Sequence, residues 1–102
     1  MAERVEDLNL PNAVVGRLIK DSLPEGVSVA KEARQALAKG ASIFVLFLTS
    51  ASNNVATKQN RKTIGAQDVL QAMKDSGFEN FVGPLQEALE SKFLAILLVG
   101  RI

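Results

Sequence analysis

Residues 29–58 read VAKEARQALAKGASIFVLFLTSASNNVATK, and this stretch decides the fold. It holds no proline and a single glycine, Gly40. Val29, Ala33, Leu37, Phe44, Leu48, Ala51 and Val55 recur along it at helical spacing. Ser28, just before it, is the expected N-cap. From Ala41 to Leu48 the sequence ASIFVLFL is apolar almost all the way round, as in a helix buried on every side. The β-branched and Phe content of Ile43–Leu48 also allows a buried strand, an alternative that the helical flanks oppose. About 30 helical residues at about 1.5 Å each make a rod of roughly 45 Å. A compact globule of 102 residues has a radius of gyration near ~13 Å, hence a diameter of roughly 33 Å. The rest of the chain is too small to cover such a rod. Each large side chain left in water among Ile43, Leu46, Phe47 and their neighbours forgoes about 1.5–3 kcal/mol. Net stabilities are only about 5–15 kcal/mol. The chain is therefore expected to need a partner lying across the long helix.

Upstream, Pro11 suits a first helical position, and Val14, Val15, Leu18, Ile19 and Leu23 form a helical stripe. Leu23-Pro24 ends it, because a residue before proline disfavours helix. A short helix is predicted over residues 11–22, after a loose polar N-terminus at 1–9. Downstream, QNRKTIG (Gln59 to Gly65) is a polar connection with a β-prone Thr63-Ile64. A third helix is predicted over residues 66–76, with Val69, Leu70, Ala72 and Met73 inward. Asp68 lies in its first turn, where an acid favours the helix dipole, and Gly77 is placed to cap its end. A last helix carries Phe78 or Phe81, Val82, Leu85, Leu89 and Phe93, with Pro84 in its first turn. The prediction is an all-α fold of short, long, short and extra helices. One domain covers residues 10–93, followed by an apolar tail at 94–102.

Composition narrows the function. The chain has no Cys and no His, which removes thiol chemistry, disulfides, imidazole bases and the usual zinc ligand sets. The Asp, Glu, Lys, Ser and Thr that remain form no recognisable catalytic group. Adjacent pairs such as Lys31 with Glu32 read as ordinary helix-surface charges. A non-enzymatic binding role is expected, with no cofactor and no metal. The net charge of +1 hides a pattern. Residues 1–10 carry one base and three acids, residues 11–62 eight bases and three acids, and residues 63–102 three bases and five acids, giving −2, +5 and −2. A basic middle suits contact with a polyanion. The N-terminus lacks the apolar region of a signal peptide. The run Phe93 to Val99 is far short of the roughly 20 residues needed to span a bilayer. An intracellular, soluble chain without membrane contact is the expectation.

The helix pattern resembles that of the histone fold, and the residues resemble that family in detail. RKTIGAQDV (Arg61 to Val69) resembles the family's second loop and third-helix start, in which an Arg pairs with an Asp seven positions later. Arg61 and Asp68 match both members, and a carboxylate at a helix start can hold a guanidinium by two hydrogen bonds. LPNAVVGRLIK (Leu10 to Lys20) and SVAKEARQAL (Ser28 to Leu37) resemble the branch containing the NF-Y B subunit, and GFENFVGPLQEAL (Gly77 to Leu89) its extra C-terminal helix. MAERVEDLNLPNAVV is similar to a narrower group, the small histone-fold subunits shared by DNA polymerase epsilon and the chromatin accessibility complex. Two features depart from the pattern. Ser28 stands where NF-Y B subunits carry a basic residue, and LAILLVGRI after Phe93 is unlike the charged tail of such subunits.

The resemblance implies an obligate heterodimer with a complementary histone-fold subunit, the two long helices crossing. The implied interface is Ile43, Phe44, Leu46, Phe47, Leu48, Ala51 and Val55. It implies sequence-independent binding of double-stranded DNA, through Asn12, Arg17 and Lys20 in the first helix, Lys31 at the long helix's start, and Arg61, Lys62 and Thr63 in the second loop. Arg61 would act with Asp68 as a brace first and touch DNA second. The implied assemblies are polymerase epsilon and a nucleosome-sliding remodelling complex with its ATPase, with histones as further partners, in the nucleus. An NF-Y B-like or negative-cofactor-like transcription factor subunit is the alternative, and a protein-binding adaptor that leaves DNA alone is another.

Overall fold

The computed structural model describes the backbone of residues 12–99 and the side chains of residues 13–91. The expectations placed on residues 1–11 and on the side chains of Asn12 and Phe93 lie outside the described residues. Helix α1 runs Asn12–Asp21, α2 Lys31–Lys58, α3 Ala66–Asp75 and α4 Val82–Val99, with a 3₁₀ turn at Glu79–Phe81 before α4. Short, long and short helices followed by a further helix is the expected order. There is no strand among the described residues. Ile43–Leu48 lies inside α2, so the strand alternative does not hold. Thr63-Ile64 is also irregular backbone; a β-prone pair forms no strand without a neighbour to bond.

Helix α2 has 28 residues and is therefore about 42 Å long. It begins three residues later than its expected cap. The carbonyl of Ala30 takes the first intrahelical bond, from the Arg34 N–H at 3.0 Å. Ser28 thus lies outside the helix. Val27 and Val29 flank it, and β-branched residues favour extended backbone.

The chain divides into two compact units within α2, after Phe47. In the first unit, α1 leaves Val14 and Leu18 exposed and Val15 and Ile19 half-buried. The loop after it turns at Gly26, whose φ of 87° suits a residue without a Cβ. Ala38 and Ser42 are buried on α2, and the Ser42 hydroxyl donates to the Ala38 carbonyl.

In the second unit, Ser52 and Ala56 of α2 are fully enclosed, and Leu70, Ala72, Met73 and Asp68 of α3 are buried. The Ser52 hydroxyl donates to the Leu48 carbonyl at 2.7 Å, which satisfies it inside the core. Helix α3 packs against the 3₁₀ turn and α4. Its end is closed as expected by Gly77, at φ 90°. The Phe78 N–H donates to the Met73 carbonyl at 2.9 Å and the Gly77 N–H to Lys74 at 3.3 Å, a Schellman closure. Val69 is half-buried rather than buried. On α4, Val82 and Leu85 are half-buried and Leu89 is exposed, as is Phe81 of the 3₁₀ turn. Pro84 sits in the first turn of α4, where its missing N–H costs no helical bond.

Candidate functional site

The loop after α2 is shaped by a residue the sequence reading passed over. Asn60 adopts φ 60°, the left-handed conformation, which Asn tolerates better than most residues. The Arg61 N–H then donates to the Ala56 carbonyl at 3.0 Å and the Asn60 N–H to Thr57 at 2.9 Å. This is a second Schellman closure, and it fixes the backbone from which the Arg61 side chain departs.

Arg61 meets Asp68 as a fork. Nη1 donates to Oδ2 at 2.8 Å and Nη2 to Oδ1 at 2.6 Å. Nη1 also donates to the Thr63 carbonyl at 3.2 Å, and Nη2 to Gln59 Oε1 at 2.7 Å. Asp68 Oδ2 further accepts the Gly65 N–H at 2.8 Å. The carboxylate thus caps the start of α3 from within while gripping the loop. Gly65 has no side chain to return the bond, and its carbonyl instead takes the Asp68 N–H at 3.0 Å. The carboxyl of Asp68 is held down at about 2, by the Arg61 hydrogen bonds first and the Gly65 N–H second. The same hydrogen bonds raise Arg61 above its ordinary value.

Arg61 and Asp68 are therefore bonded to each other, and that pairing limits what else Arg61 does. A guanidinium has five N–H donors, and four are engaged in the loop and with Asp68. Its charge is matched by the carboxylate. Among the described residues, the other cations of this loop are Lys58 and Lys62, both exposed, and Thr63 is exposed beside Lys62. Of the other expected phosphate contacts, Arg17 and Lys20 are exposed neighbours on α1, and Lys31 is exposed at the first residue of α2. Asn12 opens α1. These lie in the first unit, and Arg61, Lys62 and Thr63 in the second. The reading missed Gln59, Asn60 and Gly65. An Asn at the end of a long helical pattern is the signal that marks the left-handed position.

The second feature is the middle of α2. Its buried residues there are small, Ala38, Ser42, Ser52 and Ala56, while Leu37, Ile43, Val45, Leu46 and Phe47 are exposed, the last at 47%. Phe44, Leu48, Ala51 and Val55 are half-buried. The stripe read from the sequence thus lies one position from the enclosed face: Ala38, Ser52 and Ala56 are buried beside Leu37, Ala51 and Val55. The rings of Phe44 and Phe47 lean together with centroids 6.4 Å apart. One loop is braced and basic, and one helix face is apolar and open to water.

Short, long and short helices with an Arg–Asp brace in the second loop define a histone-fold chain. It belongs to the family of histone-like transcription factors (CBF/NF-Y) and archaeal histones, whose model matches residues 8–73. Among individual proteins, it is 59% identical to DNA polymerase epsilon subunit 3 of Homo sapiens over 91 residues, which is 89% of this chain and 62% of that protein. The same subunit of Rattus norvegicus is 59% identical over 91 residues, 89% of this chain and 63% of that protein. That of Drosophila melanogaster is 59% identical over 90 residues, 88% of this chain and 70% of that protein. Nuclear transcription factor Y subunit beta of Petromyzon marinus is 37% identical over 87 residues, 85% of this chain and 42% of that protein. The chain spans less than two thirds of the mammalian relatives.

Proposed function

We propose that this chain is a non-catalytic histone-fold subunit that pairs obligately with a complementary histone-fold subunit, and that the pair binds double-stranded DNA without sequence preference. Its setting is the nucleus, as an accessory subunit of DNA polymerase epsilon and of a nucleosome-sliding remodelling complex. The observation that carries the pairing is the exposed run Ile43, Val45, Leu46 and Phe47 on a helix whose enclosed residues are small. By length and composition alone α2 would also cross a membrane. Membership of a histone-like family favours a protein partner over lipid.

The DNA reading rests on exposed cations beside a loop that cannot drift. Asp68 neutralises Arg61 and fixes the loop, leaving Lys58 and Lys62 for phosphates. Phosphate contacts position a protein on DNA and carry no sequence information directly. The 59% identity to polymerase epsilon subunits, against 37% to an NF-Y beta subunit, favours the first assembly over a promoter-directed one. The test is a salt titration of the dimer on duplexes of unrelated sequence. Affinity should fall as salt rises, equally for each duplex. Salt-independent binding would refute the phosphate contacts, and strong preference for one duplex would return the NF-Y-like reading.

A further inference from the structure

Thr63 is the exposed hydroxyl at the crown of the braced loop. Its carbonyl is held by Arg61 Nη1 at 3.2 Å, and among the described residues its side chain has no partner. Arg61 and Lys62 immediately precede it, Lys58 closes α2 five residues before it, and Ile64 follows. Residues 61–65 form neither helix nor strand, so the segment is the kind of exposed loop that another enzyme can reach.

We propose that Thr63 is a phosphorylation site for a protein kinase that selects basic segments, and that its phosphate switches off the loop's hold on DNA. This rests on the DNA-binding reading above and adds its regulation. The Thr63 Oγ attacks the γ-phosphorus of ATP. The Oγ–P bond forms, the bond from that phosphorus to the β,γ-bridging oxygen breaks, and ADP leaves. The hydroxyl proton passes to the kinase's catalytic carboxylate.

The charge balance makes the loop sensitive. Of the cations Lys58, Arg61 and Lys62, Arg61 is already matched by Asp68, which leaves two. A phosphothreonine carries about −1.5 to −2 at neutral pH. One phosphate therefore cancels what the braced loop offers to DNA. Asp68 is enclosed, bonded to both Nη atoms and to Gly65, so the brace survives and the effect is electrostatic.

The experiment treats the dimer with a basophilic kinase and ATP, locates the label by mass spectrometry, and measures duplex-DNA affinity over a salt series. Label is expected at Thr63 and absent from that position in Thr63→Val. The slope of log affinity against log salt should shrink by about 1.8, two contacts at about 0.9 each. Thr63→Glu, with one added charge, should shrink it by about 0.9. The melting temperature should stay that of the parent. No label at Thr63 in the folded dimer, or a labelled dimer with the parent's slope, would overturn the switch alone. A lowered melting temperature would overturn the electrostatic account in favour of a broken brace. A parent dimer whose binding ignores salt would overturn the DNA reading, and the switch with it.

Discussion

Phe47→Ala should weaken the paired protein, because it truncates a side chain about half of which this chain alone leaves in water. Phe47 is 47% exposed in this chain. An aromatic side chain buries roughly 150–250 Å² when fully enclosed. Pairing thus has roughly 70–120 Å² of this residue left to remove from water, and at about 25 cal/mol per Å² that is about 2–3 kcal/mol. Alanine retains part of this, so the expected loss is about 2 kcal/mol, with any unfilled cavity adding to it. Equilibrium urea unfolding of the one-to-one dimer at several protein concentrations reads the quantity directly, provided the slope with denaturant stays constant. Lys74→Ala, an exposed charge on α3, sets the baseline. A Phe47→Ala dimer within about 0.5 kcal/mol of the parent, the ordinary range for a surface change, would refute burial of this face.

Asp68→Ala removes both Arg61 bonds and the Gly65 cap, and should lower the dimer's melting temperature. The Asp68 carboxyl is depressed to about 2, so its contribution is present above the unfolded carboxyl value of about 3.9 and fades as pH falls through about 2. The stability difference between parent and Asp68→Ala should accordingly narrow between about pH 4 and 2. Lys62→Ala should leave melting unchanged and shrink the salt slope of DNA binding by about 0.9. Asn60→Val should cost about 1–2 kcal/mol by forcing a β-branched residue into the left-handed region, while Asn60→Gly should be close to neutral; chemical denaturation separates them.

Much of the fold was legible because the strong signals agree. Proline is absent from the stretch that forms α2, Pro24 stands beyond α1, and Gly77 closes α3 at positive φ. The start of α2 lies beyond Ser28, which has the chemistry of a cap but stands between Val27 and Val29, β-branched residues that favour extended backbone. The apolar stripe was found one position off the enclosed face because hydrophobicity marks where large residues lie. On α2 of the single chain, the residues that become enclosed are the small Ala38, Ser42, Ser52 and Ala56. The Arg61–Asp68 brace was legible from a spacing that resembles a family. Gln59 and Asn60 were not, since their roles depend on a backbone turn that exists only once α2 ends at Lys58. The net +5 over residues 11–62 also overstates the loop's offer to DNA, because Asp68 lies outside that window and removes the charge of Arg61.

The most direct measurement is the mass and thermal unfolding of the chain expressed alone and coexpressed with a complementary histone-fold subunit. The chain alone should aggregate or unfold without a cooperative transition, and the pair should run as a one-to-one dimer with a sharp one. A monodisperse, cooperatively melting monomer would contradict the account, because Ile43, Leu46 and Phe47 would then be tolerated in water.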